Sequence, residues 1–212
     1  MAIKHGNNSD NDIIGTSTGD AIFAYAGKDY VDAGYGDDYV EGGDGDDVLW
    51  GGGDNDELHG GNDNDQLFGY TGNDKLNGGD GNDLLFGGLG QDTMTGGLGA
   101  DTFVIGTWHF SNAPDSSLAD PDYIKDFSHA QGDKIDVSQI DANELLTGNQ
   151  SFSFIGNRDF TGVAGQLRYE IHDIKPGYHY TSITGDLDGD GAADFQINVA
   201  GKIDFVASDF IL

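Results

Sequence analysis

Apolar side chains recur at every ninth position through the first half of the chain, and Gly, Asp and Asn dominate the residues between them. From Gly6 to Val104 the sequence divides without a gap into eleven blocks of nine, and the eighth residue of each is apolar. These residues are Ile13, Ile22, Val31, Val40, Leu49, Leu58, Leu67, Leu76, Leu85, Met94 and Phe103. A fixed period of this kind indicates a repeat architecture.

Each block predicts a turn followed by a short strand. The first six residues favour a turn, because glycine supplies the positive φ angles that other residues resist. The last three residues predict a strand whose middle side chain points inward and whose neighbours point outward. Two blocks would complete one coil with a strand on each side, and coils would stack about 4.7–4.9 Å apart.

The sixth residue of the block is Asn11 in the first block and aspartate in the other ten. Two blocks per coil would place the aspartates in two columns, Asp20, Asp38, Asp56, Asp74 and Asp92 in one and Asp29, Asp47, Asp65, Asp83 and Asp101 in the other. Carboxylates about 4.8 Å apart would repel by roughly 3 kcal/mol per neighbour at an effective dielectric constant near 20. The columns therefore predict cations between adjacent coils.

Calcium suits such columns because it takes about six to eight oxygen ligands from carboxylates and backbone carbonyls. Five aspartates in each column leave four gaps, so we expect about eight ions if every gap fills. The candidate ligands are the ten aspartates and the turn glycines Gly43, Gly45, Gly79, Gly81, Gly88, Gly90, Gly97 and Gly99.

Three successive blocks, GGDGNDLLF, GGLGQDTMT and GGLGADTFV, match the calcium-binding nonapeptide G-G-x-G-x-D-x-U-x of RTX proteins. The segment resembles the RTX β-roll. The resemblance implies an all-β fold, a parallel β-roll that forms a right-handed calcium-binding solenoid. It also implies export by type I secretion machinery to the outside of the cell.

The turns depart from the consensus in places. Thr18 replaces the fourth-position glycine, and a β-branched residue tolerates positive φ poorly. Asp54 and Asp63 replace the same glycine, but aspartate tolerates the left-handed region better. Leading glycines are replaced at Ala24, Tyr25, Ala33 and Tyr70. We expect the sites from Asp38 onward to form better than those before it.

The glycine repeat stops after Val104, so the sequence predicts a β-roll over 1–104 and a β-rich cap over 105–212. Alternating residues predict strands at 152–155 and 195–199, and 138–146 predicts a short helix. A cap is expected because the end of a solenoid exposes apolar core and unpaired strands.

Three strings in this half are similar to the C-terminal region of serralysin-type secreted metalloproteases: DYIKDFSHAQGDKIDVSQID, FTGVAGQLRYE and GDLDGDGAADFQINVAG. The likeness concerns the cap and not a protease domain. The terminal Asp209-Phe210-Ile211-Leu212 resembles the uncleaved type I secretion signal of that family. A last edge strand packed on the core would show the same pattern, and the two roles are compatible.

A second acidic cluster follows the order of an EF-hand loop. Asp186, Asp188, Asp190, Gly191 and Asp194 match loop positions one, three, five, six and nine. Ile197 replaces the glutamate of position twelve, and strand-like residues flank the loop. The segment is therefore either one more calcium site on a β-hairpin or a solvated acidic turn.

Composition limits the partners. The chain has 38 acidic and 9 basic residues and a net charge of −29, which argues against nucleic acid and anionic membranes. Hydrophobic residues at 36% argue against a disordered acidic chain. There is no cysteine, no apolar stretch of about 18 residues, and no apolar signal-peptide core at the N-terminus.

No catalytic constellation is expected. Residues 15–19 match G-x-S-x-G, but they lie in phase with the nonapeptides, and no H-E-x-x-H pattern is present. We expect a non-catalytic calcium-binding module of a secreted protein, with calcium-triggered folding outside the cell and an upstream domain absent from this chain. Two alternatives stay open: a polysaccharide-binding accessory module of a secreted carbohydrate-active enzyme, and a calcium-dependent adhesin.

The two outer faces of the predicted roll differ. One shows mostly polar residues and is expected to be solvated. The other carries an apolar ladder of Trp50, Phe68, Phe86 and Val104. Because contiguous apolar patches rarely stay open to water, we expect 105–212 to fold over this ladder, with a sugar-stacking surface as the alternative.

Overall fold

The computed structural model describes residues 1–106, 118–143 and 145–212. Within the repeat the strands are β1 (Ile3–Asn7), β2 (Asp12–Thr16), β3 (Ala21–Ala26), β4 (Tyr30–Tyr35), β5 (Tyr39–Asp44), β6 (Val48–Gly53), β7 (Glu57–Asn62), β8 (Gln66–Thr71), β9 (Lys75–Asp80), β10 (Leu84–Leu89), β11 (Thr93–Leu98) and β12 (Thr102–Val104). The later strands are β13 (Asp122–Ile124), β14 (Lys134–Asp136), β15 (Ser153–Phe154), β16 (Gln166–Lys175), β17 (Tyr178–Asp186), β18 (Phe195–Ala200) and β19 (Phe210–Ile211). A 3-10 helix, Ala207–Asp209, precedes β19.

Strands of the repeat alternate between two parallel sheets. The odd-numbered strands β1 to β11 pair in one sheet and the even-numbered strands β2 to β12 in the other. Partners lie eighteen residues apart, as in Leu58 with Leu76 and Leu49 with Leu67. Two blocks therefore make one coil, and the expected parallel β-roll is confirmed.

The strands are longer than the three residues that the sequence predicts. Most repeat strands have six residues, because the pairing continues through the first three positions of the next block. Gly43, for example, pairs with Gly61 in the same register as the apolar residues. The turn between two strands is therefore short. Each column aspartate lies directly before the first residue of a strand, as Asp56 does before β7.

The eighth-position side chains fill the interior. From Ile22 to Phe103 their exposed fraction is 1% or less, while Ile13 in the first coil is half-buried. The same cluster continues through cap residues such as Ile124, Ile135 and Phe195. One apolar core therefore runs from the repeat into the C-terminal half.

Both sheets also run across the end of the repeat. β13 extends the odd sheet by pairing with β11, and β14 extends the even sheet by pairing with β12. β18 joins β13, the antiparallel strands β17 and β16 follow, and β15 pairs parallel with β16 at the edge. β19 pairs with β14 and forms the edge strand of the even sheet. The division at residue 104 stays a prediction from the sequence pattern.

The predicted helix over 138–146 is wrong for the residues that are described there, 138–143 and 145–146, which form turns. Asp141 Oδ1 accepts from the Asn143 N–H, and Asn143 Oδ1 accepts from the Leu145 N–H. Such local side-chain acceptors compete with helical hydrogen bonds and favour turns. The strands predicted at 152–155 and 195–199 are present as β15 and β18.

The apolar ladder on the even sheet is largely buried. Phe68 is 5% exposed and Phe86 is 2% exposed, and the rings of Trp50 and Phe68 stack with centroids 4.4 Å apart. Coverage of the ladder by 105–212 stays a prediction, because part of that segment, 107–117, lies outside the described residues.

Candidate metal sites

The ten aspartates of the repeat form two hydrogen-bonded columns. One carboxylate oxygen, Oδ1, of each accepts from the backbone N–H one coil earlier, 2.8 Å from Asp56 N to Asp74 Oδ1 and 2.8 Å from Asp47 N to Asp65 Oδ1. The ladder begins at Ala2 and Asn11, whose N–H groups bond to Asp20 and Asp29. These bonds hold every carboxylate in the same orientation.

The second oxygen, Oδ2, of each column aspartate is buried. Within the described part of the chain, all ten Oδ2 atoms accept no hydrogen bond. The residues are 4% exposed or less. A buried charge without a partner is strongly unfavourable, and buried carboxylates are normally paired or bind metals. Ten such oxygens, repeated at one coil spacing, fit a set of cations.

Glycine makes room for these oxygens. A Cβ on Gly78 would lie 2.2 Å from Asp83 Oδ2, and one on Gly87 would lie 2.2 Å from Asp92 Oδ2. The first glycine of the block is therefore required because the carboxylate of the same block packs against it. The other candidate glycines have positive φ, as at Gly79 (115°) and Gly81 (152°).

The stacked turns also place backbone carbonyl oxygens against the glycines of the next coil. A Cβ on Gly79 would lie 2.1 Å from the Gly61 carbonyl oxygen one coil earlier. Calcium binds both carboxylate and carbonyl oxygens, so the chemistry of this donor set suits it.

Burial raises the pKa of most column aspartates. Loss of solvation raises the pKa of Asp56, Asp65 and Asp92 to about 8. The same cause raises the pKa to about 6 at Asp38, Asp47, Asp74, Asp83 and Asp101. Burial thus disfavours the ionised form of these carboxylates, and a cation beside them would offset that cost.

The N-terminal end of the columns differs in its turn conformation and electrostatics, while the ranking of the sites before and after Asp38 stays a prediction. Among the described non-glycine residues, positive φ occurs at Tyr25, Asp54, Asp63 and Tyr70. Asp54 and Asp63 thus adopt the left-handed conformation of the glycine they replace, and Thr18 does not. The Ala2 N–H bond lowers the pKa of Asp20, whereas burial raises it in the next coils.

Two further aspartates, missed in the sequence, extend the columns. The Asp92 N–H donates to Asp122 Oδ1 at 2.9 Å, and the Asp101 N–H donates to Asp133 Oδ1 at 3.1 Å. Their signal was present: Asp122-Tyr123-Ile124 and Asp133-Lys134-Ile135 keep the aspartate–any–apolar order of block positions six to eight. The G-G-x-G turn of the nonapeptide does not precede either aspartate, so the nine-residue period does not predict these two strands.

The acidic loop of the cap connects β17 and β18, as the hairpin interpretation expects. Carboxylate oxygens of Asp186, Asp188 and Asp194 lie within 4.8 Å of one another, and Asp190 is not in this group. Asp186 is fully buried and accepts from the N–H groups of Gly189 (2.7 Å) and Gly191 (3.2 Å). These bonds account for a folded acidic turn, with or without an ion.

A family model described as the C-terminal domain of peptidase M10 serralysin matches residues 4–212. The chain belongs to this family. The match covers the repeat and the cap together, and it confirms the resemblance drawn from the sequence. The fold is the expected one, an all-β parallel β-roll with a β-rich cap.

Two solved structures are similar to the chain. The AlgE6R3 subunit of the Azotobacter vinelandii mannuronan C5-epimerase is 27% identical, with 79% of this chain and 80% of that chain covered and a TM-score of 0.49. The AlgE6R2 subunit of the same epimerase is 23% identical, with 98% and 90% covered and a TM-score of 0.38. A comparison with curated proteins gives no match.

Two other features of this serralysin C-terminal chain bear on function. Ser17 of the G-x-S-x-G pattern lies in the turn between β2 and β3, so the strand-to-helix setting of a nucleophile elbow is not formed there. None of the helices in 1–106, 118–143 and 145–212 is long and apolar enough to cross a membrane.

Proposed function

We propose that this chain is a calcium-binding module whose fold forms when calcium occupies the two aspartate columns. The observation that carries the proposal is the set of ten buried Oδ2 atoms in register. The ten column aspartates and the carbonyls of the turn glycines would hold the ions. Calcium would supply the positive charge that the buried carboxylates require.

The number of ions follows from the columns. Five aspartates in each column have four gaps, which gives about eight ions, with one more at Asp186, Asp188 and Asp194 if that loop binds calcium. Eight sites that each see calcium at about ten times their dissociation constant would contribute roughly 1.4 kcal/mol each, or on the order of 11 kcal/mol. This equals the stability of a typical domain.

Because calcium binding would supply a stabilisation of this size, we expect the chain to fold only outside the cell. Weak calcium modules outside cells have dissociation constants of about 10⁻⁴–10⁻³ M, so their sites stay empty where calcium is scarce. We propose that a type I pathway exports the chain unfolded and that it folds outside, where it stabilises an upstream domain. The module itself carries no catalysis in this proposal.

The C-terminus has a defined place in the folded state. Phe210 is 7% exposed and packs against Phe154 and Phe205, and the Ile211 carbonyl accepts from the Val137 N–H at 3.0 Å. The same residues would act as the secretion signal before folding, because burial in the final strand follows only once the roll has formed.

Circular dichroism at neutral pH tests the calcium role. After removal of metal the chain should be disordered, and added calcium should restore β-structure cooperatively. Magnesium should substitute poorly, because it demands a tight octahedral shell and gives up water reluctantly. A metal-free chain that is fully folded at neutral pH would contradict the proposal.

The secretion role needs its own test. Deletion of residues 209–212 should abolish export by a type I exporter. The matched control is Phe205→Ala, which removes a ring that packs against Phe210 but keeps the whole terminal sequence, and it should still be exported. Export of the deleted chain at the wild-type level would refute the signal, whatever the deletion does to folding in vitro.

A further inference from the structure

The outer face of the odd sheet carries a row of aromatic rings, although its sequence suggested a mainly polar surface. His5 and Phe23 have centroids 5.4 Å apart, Phe23 and Tyr39 5.8 Å, and Tyr39 and His59 5.3 Å. Each contact crosses to the next strand of the sheet. The row therefore follows the solenoid axis over four coils.

A groove of about 380 Å³ lies beside this row, and we name it the odd-face groove. Three rows of residues line it, and each row repeats once per strand: Glu41, His59 and Asn77; Gly43, Gly61 and Gly79; Asp44 and Asn62. Its period is therefore the interstrand spacing, about 4.7–4.9 Å. A groove with a regular period fits a linear polymer whose own repeat has a similar length.

Tyr25 marks one end of this surface and is conformationally strained. It occupies a glycine position with φ of 84°, and it is 47% exposed. Its hydroxyl lies 2.9 Å from His5 Nδ1, and it lines a small cavity with Glu41 and Gly43 that adjoins the groove. Strain of this kind persists where the surroundings impose it and is concentrated at functional sites.

The polar groups of the groove define the chemistry of its ligand. Glu41 offers carboxylate acceptors, and Asn77 offers both a donor and an acceptor. Asn62 Nδ2 donates to Asp44 Oδ1 at 2.6 Å, so these two residues offer mainly Asp44 Oδ2 and Asn62 Oδ1 as further acceptors. The nearby cation Lys75 lies 3.8 Å from Glu57. The chain has a net charge of −29, and about eight bound Ca²⁺ ions, about +16, would leave about −13. Polyanions would therefore be repelled, while a neutral, hydroxyl-rich chain would find hydrogen bonds along the groove and apolar ring surface at its side.

We propose that the odd-face groove binds an uncharged linear polysaccharide built of hexopyranose units. Successive sugars would lie along successive coils, because an extended hexopyranose chain has a repeat close to the strand spacing. This function is additional to the calcium-dependent folding proposed above, and it requires the folded, calcium-loaded roll.

The test is calorimetric titration at saturating calcium with neutral hexasaccharides of glucose, mannose and N-acetylglucosamine, each β-1,4-linked, and with a hexamer of uronic acid. At least one neutral hexamer should bind, and the uronic acid hexamer should not. Tyr39→Ala should weaken binding at least tenfold. Its matched control is Tyr30→Ala, which removes an exposed tyrosine from the same block position on the even sheet.

Circular dichroism must show the same calcium midpoint for both variants, so that loss of binding is not loss of fold. If Tyr39→Ala does not fold, Asn77→Ala takes its place, because Asn77 is an exposed residue of the groove. Absence of binding by all neutral hexamers, tighter binding of the uronic acid hexamer, or equal losses in the two tyrosine variants would overturn the proposal. None of these outcomes would affect the calcium role.

Discussion

Acid should replace calcium as the agent that folds this chain. Eight column aspartates have a folded-state pKa of about 6 or about 8, against an ordinary value of 3.8, because burial disfavours their charged form. A pKa that is raised on folding means that the folded state binds protons more tightly than the unfolded state. Its stabilising effect is complete below about pH 4 and is lost as the pH rises through about 6 and 8.

The magnitude follows from the size of the shifts. One pKa unit corresponds to about 1.4 kcal/mol, so at pH 7.5 a group shifted to about 6 costs about 3 kcal/mol and one shifted to about 8 costs about 5 kcal/mol. Two or three such costs together would already cancel the stability of a typical domain.

The assay is a pH titration of the metal-free chain by far-UV circular dichroism. At pH 7.5 the chain should be disordered, and β-structure should appear between about pH 7 and 4 as the columns take up protons. Calcium added at about pH 5, where the metal-free fold holds protons on its columns, should displace those protons, which a pH indicator in weak buffer measures. Calcium added at pH 7 should fold the chain without proton release, because the unfolded carboxylates are already ionised.

The matched pair of variants is Asp56→Asn and Asp54→Asn, because Asp56 is 2% exposed in its column and Asp54 is an exposed turn residue. Both remove one negative charge. Asp56→Asn should fold at higher pH without metal and yet need more calcium at neutral pH, whereas Asp54→Asn should do neither. A metal-free chain that stays disordered at pH 4, or identical behaviour of the two variants, would refute the reasoning.

Three further predictions concern the columns and their supports. Asp83→Ala or Asp92→Ala should raise the calcium midpoint of folding more than Asp20→Ala, which lies beside the irregular turn of Thr18, and equal midpoints would contradict this ranking. Phe68→Ala should cost about 3–5 kcal/mol and raise the calcium midpoint with every ligand intact, whereas the exposed Tyr30→Ala should leave it unchanged. Gly78→Ala should weaken calcium-induced folding because its Cβ would displace Asp83 Oδ2, while Asn77→Ala, at the exposed position before it in the same strand, should keep the wild-type midpoint.

The fold of the repeat could be predicted closely because every block of nine carries the same residue pattern. The apolar eighth residue and the acidic sixth residue fix the coil length, and pairs such as Leu58 with Leu76 follow from counting. Strand length was underestimated because glycine is normally a strand breaker, whereas here Gly43 and Gly61 continue the ladder. The false helix at 138–146 reflects side-chain acceptors on Asp141 and Asn143, which composition alone does not weigh against helical propensity.

The column ends were the harder part of the site. Within the repeat, ladder partners are eighteen residues apart, but Asp92 reaches Asp122 across 30 residues and Asp101 reaches Asp133 across 32. The aspartate and apolar positions of the strand recur at Asp122 and Asp133, but the glycine-rich turn of the nonapeptide does not. A search for the nine-residue period finds a strand only where that turn precedes it.

The two kinds of carboxylate explain why the calcium dependence that we propose belongs to the repeat and not to acidity as such. Asp133 accepts at Oδ1 from the Asp101 N–H and at Oδ2 from the Ser128 N–H, 3.1 Å and 2.8 Å away. Asp126 likewise accepts from the N–H groups of Gly96 and Gly97 with its two oxygens. In the cap, backbone donors thus satisfy both oxygens of these acids. In the repeat, a column aspartate has such a donor for one oxygen, and the other oxygen leaves room for a cation.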